Sequence, residues 1–242
     1  MTVELFIPCF IDQLFPETAF NTVKVLEKAG CKVVYNPQQT CCGQPAFNAG
    51  YWDEAKAVGN KFLNDFSDGN YIVSPSASCT GMVKNYYNDL FTNTAVHNKC
   101  RSIQSNIHEL SDFLVNVLKK DYFGAELEGR AVYHDSCAGL RECKIKDEPR
   151  ALLSKVHGLD LVEMKDTGTC CGFGGTFAVK FDAISSAMAQ QKVDNALAMD
   201  ADYIISTDAS CLMHLQGYID KNSLPIKTMH LVDVLSNGWG NV

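Results

Sequence analysis

Two cysteine pairs, each followed by glycine, carry the strongest chemical signal in the chain: Cys41-Cys42-Gly43 and Cys170-Cys171-Gly172. Adjacent cysteines suit an ordinary disulfide poorly, because a vicinal bridge is strained and easily reduced. A lone cysteine precedes each pair (Cys9, Cys137) and another follows it (Cys79, Cys211). Four thiols per set could hold an iron–sulfur cluster, which is commonly bound by four thiolates. They could hold structural zinc, although the paired C-x2-C knuckles usual at zinc sites are missing here. They could run dithiol chemistry, a lone cysteine resolving the disulfide of the pair. They could also be buried cysteines acting as small hydrophobes. The glycines beside the pairs, Gly43, Gly172, Gly174 and Gly175, would let backbone N–H groups come close to the sulfurs.

The rest of the chain is arranged twice around these sets. "YIVSPSASC" ends at Cys79 and "YIISTDASC" at Cys211, "VELFIPC" ends at Cys9 and "AVYHDSC" at Cys137. The closing segments "LSDFLVNVL" and "LVDVLSNG" echo each other as well. These features recur in one order at an offset of about 130 residues, the mark of an internal duplication. The halves are taken as residues 1–124 and 125–242. That the eight cysteines recur while most of their neighbours differ argues against reading them as buried filler. Cys31, Cys100 and Cys143 have no counterpart and are read as small buried hydrophobes.

The elements that must position the thiols alternate. "VELFIPC", "CKVVYN" and "YIVSPS" are strand-like in the first half; "RAVYHDS", "DLVEM" and "DYIIS" are strand-like in the second. Between them lie helical patterns: 16–30 with Phe20, Val23 and Leu26 on one face, one with Trp52, Ala55, Phe62 and Phe66 at helical spacing, one opening near Pro149, and one from Phe177 to Met199. Strand–helix alternation gives α/β architecture, here two tandem pseudo-symmetric repeats, each a small mostly parallel sheet flanked by helices. In this arrangement the lone cysteines sit just past strand C-termini, and the pairs lie between a strand and a helix. That is the edge where open α/β sheets bind ligands.

Composition narrows the classes further. Net charge is −7, and the 21 Lys and Arg are scattered, so no basic patch points to nucleic acid or an anionic membrane. No run approaches the roughly 18 apolar residues of a membrane span. Glu4 stands where a signal peptide would carry a base. The expected location is the cytoplasm, where eleven cysteines argue for metal or redox chemistry rather than disulfides.

The two patterns, C-x31-CCG-x35-C and C-x32-CCG-x38-C, resemble the duplicated cysteine-rich CCG domain. That domain occurs in heterodisulfide reductase, in the iron–sulfur component of glycolate oxidase and in anaerobic glycerol-3-phosphate dehydrogenase. The resemblance spans essentially the whole chain. It implies one or two iron–sulfur clusters of the [4Fe-4S] kind, held by Cys9, Cys41, Cys42 and Cys79 and by Cys137, Cys170, Cys171 and Cys211. It also implies an oxidoreductase subunit passing electrons in the oxidation of a 2-hydroxy acid, L-lactate to pyruvate. Its partners would be the other subunits of that lactate-utilization complex, and the small hydroxy acid could sit at a shared site. A dithiol/disulfide reductase and a zinc-stabilised scaffold are the alternatives. The full family pattern closes each repeat with C-x2-C; here Met82 and His214 occupy the last position. Met82 is expected to pack, and His214 is a candidate metal ligand.

Outside the cysteines the chemistry is sparse. "CGFGGTF" lacks the dinucleotide-binding spacing, since Phe177 falls where the third glycine belongs. His134 and Asp135, just before Cys137, are the acid/base candidates, with an orienting hydrogen-bonded pair as the competing reading. Arg141 could bind a carboxylate or lie solvated on the surface. Trp52 and Phe62 are expected in the core.

Overall fold

The computed structural model describes residues 1–66 and 68–239. Eight strands form two four-stranded sheets. The first contains β1 (Thr2–Leu5), β2 (Lys32–Tyr35), β3 (Tyr71–Ser74) and β4 (Ile107–Glu109); the second contains β5 (Glu126–Tyr133), β6 (His157–Val162), β7 (Tyr203–Ser206) and β8 (Lys227–His230). Every pairing is parallel, in the orders β2-β1-β3-β4 and β6-β5-β7-β8. The second sheet repeats the first strand for strand, and the central pairs share one register: Val3 opposite Tyr71, and Ala131 opposite Tyr203. The expected α/β class and tandem repeats are what the chain forms.

Parallel strands need crossovers that return to the same end of the sheet, and helices supply them. The helix Pro16–Lys28 begins with proline at its first turn and buries Thr18, Thr22, Val25 and Leu26. Its counterpart Asp147–Leu153 buries Pro149, Leu152 and Leu153. Both pack into a core that joins the halves: Val3, Leu26, Phe113 and Leu114 from the first lie with Ala131, Leu152, Leu231 and Val234 from the second. Burial of each such side chain stabilises by about 1.5–3 kcal/mol, so the repeats form one packed body. Polar links reinforce the joint. Thr18 Oγ1 and Asn21 Nδ2 donate to the two oxygens of Asp233 at 2.8 and 2.9 Å, and His230 Nε2 donates to the Pro75 carbonyl at 2.9 Å.

Some local expectations are corrected. Phe20 is 63% and Trp52 56% exposed. The helix Trp52–Asp65 turns Ala55, Gly59, Phe62 and Leu63 inward, which leaves Trp52 at the rim, stacked on Phe47 at 5.6 Å. Phe62 is buried as expected. The single helix expected over 177–199 is two, Thr176–Lys180 and Asp182–Leu197, because Phe181 leaves the helical conformation at φ −134°, ψ 53°. The edge strands β4 and β8, "IHE" and "KTMH", are too short and polar to announce themselves in sequence. No helix among the described residues is long and apolar enough to cross a membrane.

Candidate metal centres

The eight recurring cysteines all lie at strand C-termini. Cys9 starts a helix after β1, and Cys137 precedes a π-helical turn, Ala138–Cys143, after β5. Cys79 and Cys211 lie in the first turns of helices that follow β3 and β7. The pairs lie on loops after β2 and β6. Three separate loops in each half therefore converge on one set of thiols.

The thiols touch in series. Cys9 contacts Cys41, Cys41 contacts Cys42, and Cys42 contacts Cys79. In the second half Cys137 contacts Cys170, Cys170 contacts Cys171, and Cys171 contacts Cys211. Hydrogen bonds from the Cys42 and Cys9 thiols, with the Gly43 N–H, hold Cys41 down to about 3. Cys170 is held down to about 2 in the same way by Cys137, Cys171 and the Gly172 N–H. Their neighbours Cys9, Cys42, Cys137 and Cys171 are pushed well up, chiefly by sharing their protons with these two sulfurs and then by burial. Close-set thiols, buried at Cys42, Cys171 and Cys211, partly covered at Cys41, Cys79, Cys137 and Cys170 and exposed at Cys9, with a thiolate already favoured in each set, match the donor requirements of a soft metal or an iron–sulfur cluster.

The glycines shape the loops. The Gly43 and Gly172 N–H groups reach Cys41 and Cys170 Sγ, each at 3.4 Å. Both have positive φ, 86° and 96°. A Cβ at Gly172 would stand 2.6 Å from the Ser185 carbonyl oxygen, and one at Gly43 3.1 Å from that of Ala55. These glycines serve the sulfurs and also let each loop lie against the second helix after it, Trp52–Asp65 or Asp182–Leu197. Gly174 and Gly175 line the cavity described next.

Both thiol sets open onto one cavity of about 300 Å³ between the halves, lined by all eight cysteines. Its charged lining residues are Glu142 and the buried Asp208. Asp208 accepts from Ser78 Oγ at 2.7 Å, a bond that crosses from one half to the other. Burial pushes both carboxyls upward. No Lys, Arg or His is among the described lining residues.

The remaining candidates fall in different places. Asp135 is buried with both oxygens held by Arg150, Nη1 and Nη2 each at 2.9 Å, the geometry of a loop-orienting ion pair. His134 is fully buried, and neither ring nitrogen has a partner. Its imidazole lies with the Cys171 and Cys211 sulfurs, the three ligand atoms within 4.8 Å of one another. His214 Nε2 faces Ser185 instead, 3.1 Å from Oγ and 3.4 Å from the carbonyl, while Ser185 Oγ donates to the Gly172 carbonyl at 2.9 Å. His214 thus braces the second pair's loop. Met82 is buried in the apolar cluster behind Cys42. Arg141 lies in the turn Ala138–Cys143, outside the cavity lining. Cys31 and Cys100 are buried in apolar cores, whereas Cys143 is only half-buried and donates to the Ala77 carbonyl at 3.3 Å across the halves. One residue that sequence reading passed over is Lys192. It is 1% exposed, and its Nζ donates to the carbonyls of Asp166 and Thr167, at 2.6 and 3.0 Å, on the loop that carries the second pair. Its signal was a lysine on a helix face otherwise made of Ser185, Ala189, Val193 and Ala196.

A duplicated parallel α/β fold that gathers two cysteine quartets at facing strand ends defines a cysteine-cage protein. The chain belongs to the CCG cysteine-rich domain family, whose model matches residues 3–84 and 131–216. It is 42% identical over 236 residues to lactate utilization protein A of Geobacillus kaustophilus (strain HTA426), covering 98% of this chain and 99% of that protein. It is 39% identical over 239 residues to lactate utilization protein A 1 of Bacillus anthracis (strain CDC 684 / NRRL 3495), with 98% and 99% coverage. Among solved structures, a hypothetical protein from Helicobacter pylori shares the fold, with a TM-score of 0.59 and 13% identity. That likeness covers 99% of this chain, which spans about half (49%) of that longer one.

Proposed function

We propose that this chain is an iron–sulfur electron-transfer subunit of a system that oxidises a 2-hydroxy acid, L-lactate to pyruvate. The carrying observation is the pair of thiol quartets that open on a single cavity. Cys9, Cys41, Cys42 and Cys79 would hold one centre and Cys137, Cys170, Cys171 and Cys211 the other, each supplying one-electron chemistry when loaded. The substrate class is taken from the relatives' names. The cavity supports a division of labour: a hydroxycarboxylate entering it would meet Asp208 and Glu142 with no cationic side chain to pair its carboxylate. In this reading the hydroxy acid is oxidised on a partner protein, and this chain carries the electrons away.

The test is iron, sulfide and zinc content, with the visible spectrum, on protein purified without oxygen. Roughly four or eight irons per chain with matching sulfide is the expected result. Zinc alone would favour a scaffold, and metal-free protein with titratable paired thiols would favour dithiol chemistry; either refutes the proposal.

A further inference from the structure

The two thiol sets look alike, but their surroundings do not. Phe6 and His134 are structurally equivalent. Each directly follows the central strand's paired stretch and donates its N–H across to the neighbouring strand, Phe6 to Val73 at 2.9 Å and His134 to Ile205 at 2.8 Å. Phe62 and Lys192 are equivalent as well. Gly43 rests on Ala55 and Gly172 on Ser185, and two turns further along each helix stand Phe62 and Lys192. In the first half Phe6 and Phe62 pack edge to face at 4.9 Å, an apolar wall behind Cys42. The second half puts an imidazole and an ammonium in those places.

Neither replacement is explained by the fold. A buried polar group without a partner costs free energy of about 1–3 kcal/mol, and both nitrogens of His134 are unpaired. A buried ammonium requires an anion nearby. Lys192 Nζ bonds two carbonyls, and the anionic groups that act on it across space are the Cys171 and Cys170 sulfurs with the Asp135 and Asp166 carboxylates, none of them in an ion pair with it among the described residues. Both anomalies are relieved by one arrangement: an anionic metal–thiolate centre in front of Lys192, with His134 bonded to its metal. The geometry allows it. Ligand atoms sharing one ion at bond lengths of ~2.0–2.3 Å stand about 3.5–4 Å apart, and the His134 nitrogen and the Cys171 and Cys211 sulfurs lie within 4.8 Å of one another.

We infer that the second centre is a mixed thiolate–imidazole site in which His134 supplies a nitrogen ligand beside Cys171 and Cys211, whereas the first, with Phe6 in the same place, is thiolate only. This rests on the iron–sulfur reading for the identity of the metal. It makes the centres inequivalent. A neutral nitrogen donor, with the Lys192 cation behind it, would raise the reduction potential of the second centre above that of the first.

The test uses the full chain, purified and reduced without oxygen, with 15N-labelled histidine. Pulsed EPR is expected to show a strongly coupled nitrogen that shifts with the label. The coupling is expected to be lost in His134→Phe, a substitution the first half already accommodates at Phe6, and retained in His214→Gln. Clusters without a histidine-coupled nitrogen in the wild-type protein, or a coupling that follows His214, would overturn the inference. Protein that takes up no iron would sink the cluster reading alone. Cobalt(II) titration of that protein then decides the ligand: binding at the second set weakened about tenfold or more in His134→Phe supports it, and equal binding overturns it.

Discussion

Gly172→Ala is expected to destabilise the chain by about 2–5 kcal/mol and to loosen the second thiol set before the first. Two contributions add. At φ 96° any Cβ lies in the left-handed region, which costs about 1–2 kcal/mol. The new methyl would also stand 2.6 Å from the Ser185 carbonyl oxygen and 2.9 Å from Met188 Cβ. A helix backbone cannot move aside as a flexible side chain can, so overpacking adds about 1–3 kcal/mol. Gly50→Ala isolates the first contribution, because Gly50 has φ 86° and nothing within 4 Å of its Cβ position. Gly43→Ala falls between, its Cβ meeting the Ala55 carbonyl oxygen at 3.1 Å. The assay is urea unfolding of reduced, metal-free protein, paired with the alkylation rates of the two cysteine pairs read by mass spectrometry. A stability of about 5–15 kcal/mol leaves the variants measurable. If Gly172→Ala came within about 0.5 kcal/mol of Gly50→Ala, or if the reactivity of Cys41 and Cys42 rose as much as that of Cys170 and Cys171, the packing argument would be wrong.

Other perturbations separate the fold from the centres. Asp135→Ala strips the bidentate partner from Arg150, and is expected to cost about 2–4 kcal/mol in the same urea assay. Burial pushes Glu109 from its ordinary 4.5 up to about 8, so the folded chain keeps a proton that the unfolded chain releases across that window. The contribution of Glu109 to stability therefore falls as pH rises from about 4.5 to 8, by at most about 1.4 kcal/mol per pH unit. Glu109→Gln should flatten that slope in unfolding midpoints measured against pH; an unchanged slope would assign it elsewhere. Cys41→Ser or Cys170→Ser is expected to empty the corresponding half of metal, while serine at Cys31, Cys100 or Cys143 leaves metal content unchanged. Uniform loss across all five would remove the distinction between recurring and solitary cysteines.

Much of this protein is determined locally and could be read directly. Strands such as "YIVS" and "YIIS" are short runs of strand formers that end five residues before a cysteine, and the recurrence of both at one offset specifies tandem parallel α/β units. The eight cysteines announce themselves because each repeat keeps them while its neighbours drift. Tertiary structure alone decided the rest. The edge strands β4 and β8 exist because a formed neighbour offers them a ladder, not because their own residues favour it. Trp52 has core chemistry but stands at the rim, since burial depends on where a helix ends against its neighbours. That both thiol sets share one cavity follows from how the repeats pack, which no spacing within either repeat encodes. The histidine that meets the sulfurs is His134 rather than His214, because a backbone bond to Ile205 aims one side chain inward while Ser185 holds the other. Lys192 sits on the inner face of its helix with the second cysteine pair, Asp135 and Asp166 near it, and that relation spans loops distant in sequence.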